Sequence, residues 1–198
     1  MDIFDHDDDR WTYLDFMQQE ATRFGVEFMA WCLMSDHVHL IAVPSTAEAL
    51  ARAIGEAHRR YTRMKNFAAG IRGYLFQGRF GSCVLDQEHL LAAGRYIENN
   101  PVKAAMVATA TDYPWSSARY QCGLIDSDPL LKQRSIAAMV DDWAQFLRQG
   151  EKKEEPRLLG KTRTGRPAGS EEFIKVLEQQ TGRSLFPGRP GRPAKRKK

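Results

Sequence analysis

Residues 26–43 constrain this chain more than any other segment. Residues 26–34 are almost all apolar or aromatic, Ser35-Asp36 is turn-like, and His37-Val-His-Leu-Ile-Ala-Val43 continues the run until Pro44. β-Branched and aromatic residues on both sides of a short polar break favour two strands, and so short a break permits only a tight reversal. The spacing predicts an antiparallel hairpin. His37 and His39, separated by one residue, should then leave the same face of the second strand, with Val38 and Leu40 on the other.

The flanking segments have helical periodicity. Trp11, Leu14, Phe16, Met17, Ala21 and Phe24 follow a run of aspartates and stop at Gly25, which predicts a helix over 7–24. Leu50, Ala53, Ile54, Ala57, Tyr61 and Met64 mark the apolar face of a second helix whose other face carries Arg52, Arg59, Arg60, Arg63 and Lys65. Residues 74–85 read as an extended stretch interrupted by Gly78 and Gly81. Asp86 is placed to cap a third helix through Leu90, Leu91, Ala93 and Ile97, which must stop at or before Asn100 because Pro101 restricts its predecessor. A last helix is expected over 136–147. The composition shifts beyond Gly150, dividing the chain into an α+β domain over 1–150 and a flexible basic tail over 151–198 that includes a short helix at 171–180.

Several classes are excluded. The chain has 198 residues, 42% of them hydrophobic, enough for a core, yet no run reaches the ~18 apolar residues of a membrane span. Three scattered cysteines, Cys32, Cys83 and Cys122, suggest neither a disulfide framework nor a metal knuckle, and the acidic N-terminus is unlike a secretion signal. A cytoplasmic, nucleoid-associated protein is the expectation. The net charge of +4 conceals an uneven distribution: −8 over residues 1–51, +5 over 52–103, −2 over 104–156 and +9 over 157–198. Basic blocks of this kind point to a polyanion partner.

Two imidazoles on one strand face can hold a divalent metal, or they can be ordinary strand histidines; spacing alone leaves both open. Tyr96 lies one helical turn before Asn100, so phenol and amide share a face. Tyr96 is a candidate nucleophile or a half-buried core tyrosine, while Tyr61 falls within an apolar stripe and is expected in the core. Arg59, Arg60, Arg63, Lys65, Arg72, Arg79 and Arg95 are candidates for phosphate contacts or for a solvated face. Trp115 is either a packed core residue or a stacking platform. His89 is expected to be an exposed first-turn histidine, and His6 and His58 have no neighbours that suggest chemistry. Gly188-Arg-Pro-Gly-Arg-Pro193, with Arg189 and Arg192, is similar to an AT-hook core or is an unspecific basic tail.

Taken together, Trp31-Cys-Leu-Met, His37-Val-His-Leu, Leu75-Phe-Gln-Gly-Arg-Phe80, Arg95-Tyr-Ile with Asn100-Pro-Val-Lys-Ala, and Asp112-Tyr-Pro-Trp-Ser-Ser-Ala118 resemble the single-tyrosine HUH transposases, specifically the REP-associated tyrosine transposases. The resemblance implies a ferredoxin-like antiparallel sheet with helices on one face. It also implies cleavage of single-stranded DNA at hairpin-forming repeats with Mg²⁺ or Mn²⁺, by a monomer or dimer. Carried over by position, His37, His39 and Asn100 would be metal ligands and Tyr96 the nucleophile, joined covalently to a 5′ phosphate. The family's first strand, with a Gly-Asn-Arg type sequence, usually precedes the segment at Ile3 to Arg10, so one strand is expected to be missing. A truncated or catalytically inactive hairpin-binding protein is the alternative, and an unrelated metal-dependent phosphoesterase a third reading.

Overall fold

The computed structural model describes residues 2–149 and 155–186. Its first half runs α1 (Asp7–Phe24), β1 (Val26–Leu33), β2 (Val38–Pro44) and α2 (Ala49–Ala69). The carboxylate of Asp9 accepts hydrogen bonds from the backbone of Asp5 (2.9 Å) and His6 (3.2 Å) and so fixes the start of α1. Gly25 ends that helix in the left-handed region at φ 71°, where a Cβ would also collide with the Ser45 hydroxyl.

The strands pair antiparallel, with Cys32 opposite His39 and Leu33 opposite Val38, and a register shift between Phe28 and Ala30. The fold is α+β, as the sequence predicts; among the described residues the hairpin is the whole sheet. The outer edge of β1 is covered where it nears the turn. Leu33 N–H donates to Trp115 O (2.8 Å) and Ser117 N–H donates to Trp31 O (3.0 Å). α1 and α2 pack antiparallel against one another. Tyr13 and Tyr61 meet edge to face with ring centres 5.4 Å apart, Arg60 bridges to Glu20 (2.7 Å) and Lys65 to Asp9 (2.8 Å). Tyr61 is fully buried, as expected, and its hydroxyl donates to Ile3 O (2.9 Å), while Ile3 N–H donates to Ser35 O (2.7 Å) at the hairpin turn.

α3 (Gln87–Glu98) begins at Asp86, whose carboxylate accepts from His89 N–H (2.9 Å), as the sequence predicts. After Asn99 the chain resumes as α4 (Asn100–Lys103), with Pro101 in the first turn, where its missing N–H costs nothing. The short helices α5 (Ala118–Gln121) and α6 (Trp143–Arg148) follow, then α7 (Glu155–Thr164) and α8 (Glu171–Thr181).

Three expectations need correction. Residues 74–85 form no strand: Gly73 and Gly78 take φ of 136° and 135°, and only Leu85 pairs, in a bridge to Ala168. The helix expected over 136–147 is two pieces, a 3₁₀ turn at Ala137–Met139 and α6, because Asp142 caps Gln145 N–H (2.9 Å) instead of continuing a helix. Of the segment read as a flexible tail, residues 155–186 hold α7 and α8. Val84 O accepts from Ala168 N–H (2.8 Å), Asp86 N–H donates to Ala168 O (3.1 Å), and Ala168 and Ile174 are buried. The expected helix at 171–180 is present as α8, with Ser170 as its cap.

Glu98 is fully buried at the junction of these parts. It accepts from Ser117 Oγ (2.6 Å) and Trp143 Nε1 (2.6 Å), and Ser117 Oγ in turn accepts from Trp31 N–H (3.0 Å). Burial pushes the Glu98 carboxyl up to about 7, against the pull of its two donors. Replacing Glu98 by Ala strands two buried donors and opens a cavity, so it should cost about 3 kcal/mol. A urea midpoint that stays at the wild-type value would disprove this role.

His58 supplies one part of the pH dependence of stability. Its ring lies parallel to Phe76 at 3.8 Å, its Nε2 is 3.0 Å from Tyr13 Oη, and burial lowers its pKa to about 4. The unfolded chain takes up this proton near pH 6.5, whereas the folded chain resists until about pH 4. Stability is therefore full above pH 6.5 and falls between pH 6.5 and 4, by roughly 3 kcal/mol from this group. His58→Gln should flatten that decline in urea midpoints measured at pH 7, 5.5 and 4.5; an unchanged slope would assign the decline to other groups.

Candidate active site

Alternation along the strand and helical spacing bring the sequence-selected residues together. The rings of His37 and His39 stand edge to face with centres 4.8 Å apart, and His39 meets Tyr96 of α3 in the same manner at 5.6 Å. His37 immediately precedes β2, and His39 lies within it. The meeting of His39 with Tyr96 turns this face of the hairpin toward α3.

Asp36 and Lys103 complete the cluster. Asp36 Oδ1 lies 2.6 Å from His37 Nδ1, and this hydrogen bond holds the Asp36 carboxyl below the usual carboxylate range. An ionised carboxylate only accepts, so His37 Nδ1–H donates, and in the neutral ring this leaves Nε2 as the nitrogen that can meet a ligand. Lys103 Nζ lies 4.3 Å from the centre of the Tyr96 ring. Neither residue was picked out as functional from sequence. The signals were there, since Asp36 adjoins the His-x-His pair and Lys103 lies two helical turns beyond Tyr96.

His39 is the more enclosed imidazole. Burial first, then the charges of His37 and Lys103, lowers its pKa to about 4, so the ring is neutral at neutral pH. Its Nε2 is buried with no hydrogen-bond partner, and so is Nδ2 of Asn100. Buried polar atoms left unpaired cost free energy, and a ligand that engages them removes the cost. Turning the Asn100 amide over places its oxygen where the unpaired nitrogen now lies. Among the described residues no three His, Cys, Asp or Glu side chains form a metal cluster. The donors that the geometry brings together are the two imidazoles of His37 and His39, a pair of a kind that divalent transition metals accept.

The basic residues fall into two groups. Arg59 is bound to Glu56 (2.6 Å), Arg60 to Glu20, Lys65 to Asp5 and Asp9, and Arg95 lies over the Phe146 ring at 4.6 Å. Arg63, Arg72 and Arg79 are exposed and form no ion pair among the described residues. Trp115 is buried and packs edge to face on Trp11 at 5.2 Å, so the core alternative holds for it. His89 is bonded to the capping Asp86. Arg189 and Arg192 lie outside the described residues. A cavity of about 440 Å³ lies between α1, β1 and residues 128–135, and none of the candidate site residues lines it. No helix among the described residues is long and apolar enough to cross a membrane.

The family model for IS200-like transposases matches residues 2–100. No curated protein and no solved structure matches the chain. The matched half includes the hairpin, both histidines, Tyr96 and Asn100; the chain belongs to the IS200-like transposase family, which makes it a DNA-processing transposase.

Proposed function

We propose that this transposase is a metal-dependent strand transferase that cuts single-stranded DNA at hairpin-forming repeats with Tyr96 as nucleophile. The observation that carries the reading is the convergence of His37, His39 and Tyr96, drawn from a strand and a helix far apart in sequence, at ring separations of 4.8 and 5.6 Å. His37, His39 and Asn100 would hold Mg²⁺ or Mn²⁺. When bound, the ion polarises a phosphodiester oxygen as a Lewis acid.

The chain's own residues account for the remaining steps. Asp36 orients the His37 ring so that Nε2 points away from the carboxylate, and burial keeps His39 neutral. Lys103 packs over the face of Tyr96 and fixes the ring while placing a positive charge beside the phenol. Tyr96 Oη gives its proton to water and forms a bond to phosphorus as the bond to the 3′ oxygen breaks. The 3′ oxygen takes a proton and leaves as a hydroxyl. The products are a 5′-phosphotyrosine and a free 3′ end, and the covalent link retains the phosphodiester energy for rejoining. A second reading, a hairpin-binding protein without strand transfer, draws on the sheet of only two strands among the described residues.

Labelled single-stranded hairpin DNA incubated with the chain and Mn²⁺ should give a covalent adduct that survives denaturation. Tyr96→Phe should abolish the adduct and leave hairpin binding intact. His39→Ala should slow adduct formation by about 100-fold or more, since a polarising ion supplies several kcal/mol. Binding without any adduct would favour the second reading, and hydrolysis without an adduct would favour a phosphoesterase.

A further inference from the structure

The last turn of α2 and the loop that leaves it have no part in the site described above, yet they carry the two most exposed aromatic rings among the described residues. Phe67 is 90% exposed and Tyr74 is 96% exposed, with Ile71 between them at 59%. Single exposed apolar residues are ordinary on protein surfaces, but two bare rings within eight residues are not. The loop is also held in place. Asn66 O accepts from Ile71 N–H (3.0 Å), Asn66 Nδ2 donates to Gly73 O (2.9 Å), and Gly70 closes α2 at φ 65°. Two residues past Tyr74, Phe76 stacks on the half-buried His58 at 3.8 Å and 6°. Both ends are thus anchored while the rings stay in water, so little ordering remains to be done on binding.

Charge identifies the occupant. From Ala57 to Leu85 the chain has six Lys or Arg and no Asp or Glu. Arg59, Arg60 and Lys65 are taken up by Glu56, Glu20, Asp5 and Asp9, whereas Arg63, Arg72 and Arg79 are exposed without ion pairs among the described residues. Arg63 stands one helical turn before Phe67 and shares its face of α2, and Arg72 lies between Ile71 and Tyr74 in the chain. A second copy meeting this patch through its own would set cations against cations. Nucleic acid satisfies both halves, its phosphates against the arginines and its bases against the rings. A ring can stack only on a base that is not already stacked in a duplex, which selects a single strand.

We propose that Phe67 and Tyr74, flanked by Arg63 and Arg72, form a stacking platform for unpaired bases of a single DNA strand. This rests on the reading of DNA as the partner and adds a binding subsite separate from Tyr96 and the histidines. It is independent of the strand-transfer chemistry.

The test measures the full chain, without divalent metal, against a fluorescein-labelled single strand of about 20 nucleotides and against the same sequence as duplex. Phe67→Ala and Tyr74→Ala should each weaken single-strand binding about 10-fold, and the double variant about 100-fold, with duplex affinity within about twofold of wild type. Circular dichroism should be unchanged, because both side chains lie in solvent. Unaltered single-strand affinity in the double variant would overturn the platform, as would an equal loss on duplex. Loss of self-association in sedimentation, with DNA affinity intact, would overturn it in favour of a protein contact. The reading of Tyr96 fails separately: wild type that binds the strand through these rings but forms no adduct with Mn²⁺ keeps the platform and loses the transferase. Wild type with no affinity for the single strand would sink both.

Discussion

The buried carboxylate of Glu98 is the interaction on which the arrangement of this molecule depends. A carboxylate removed from water is tolerated only when its oxygens are bonded, and here the two donors come from separate parts of the chain, Ser117 and Trp143. Ser117 also engages the backbone of Trp31 on β1. One side chain therefore ties α3 to the sheet edge and to α6. Since Glu98 and Tyr96 sit two residues apart on α3, they face different sides of the helix. The knot sets the depth and rotation of α3 from one side, and Tyr96 is presented to His39 on the other.

The face on which Tyr96 meets His39 lies apart from the cavity between α1, β1 and residues 128–135. A polymer cannot enter a closed pocket, and a phosphodiester in a chain must be approached with its neighbours still attached. What the fold supplies instead is a rigid pair of imidazoles on a hairpin, one held by Asp36 and the other by enclosure, with an aromatic nucleophile candidate packed against them. The unpaired Nε2 of His39 is a stored cost at this point, and sites that await a ligand commonly carry such a cost.

Much of this was legible in the sequence wherever a local signal coincided with the tertiary outcome. The apolar run broken at Ser35-Asp36 gave the hairpin, Gly25 and Asp86 marked helix boundaries, and the alternation of His37 and His39 put both rings on one face. Failures occurred where partners are distant. Residues 74–85 have strand-like composition, but Gly73 and Gly78 turn the backbone, and the one pairing residue, Leu85, bonds to a segment over eighty residues later. Similarly, nothing local in the Lys-Glu-Arg-rich segment beyond residue 150 announces that Ala168 will add to the backbone at Val84 and Asp86. The roles of the arginines were hidden for the same reason, because an ion pair such as Arg60 with Glu20 spans two helices.

The basic band thus serves two ends, and its division follows from position on α2. Cations on the flank that faces α1 meet the acidic residues of the first fifty and are used to hold the helix pair; Lys65 with Asp9 and Arg60 with Glu20 are of this kind. Arg63 and Arg72 form no ion pair among the described residues, and no Asp or Glu occurs in sequence between Glu56 and Asp86. An acidic first segment and a basic middle are complementary within the fold, and only the excess remains for a polyanion. Arg63 and Arg72 lie next to Phe67 and Tyr74, and on the proposed platform Coulomb attraction to phosphate and stacking on bases would act on the same strand. The first falls with salt and the second does not, so binding at this patch combines a screened attraction with one that persists.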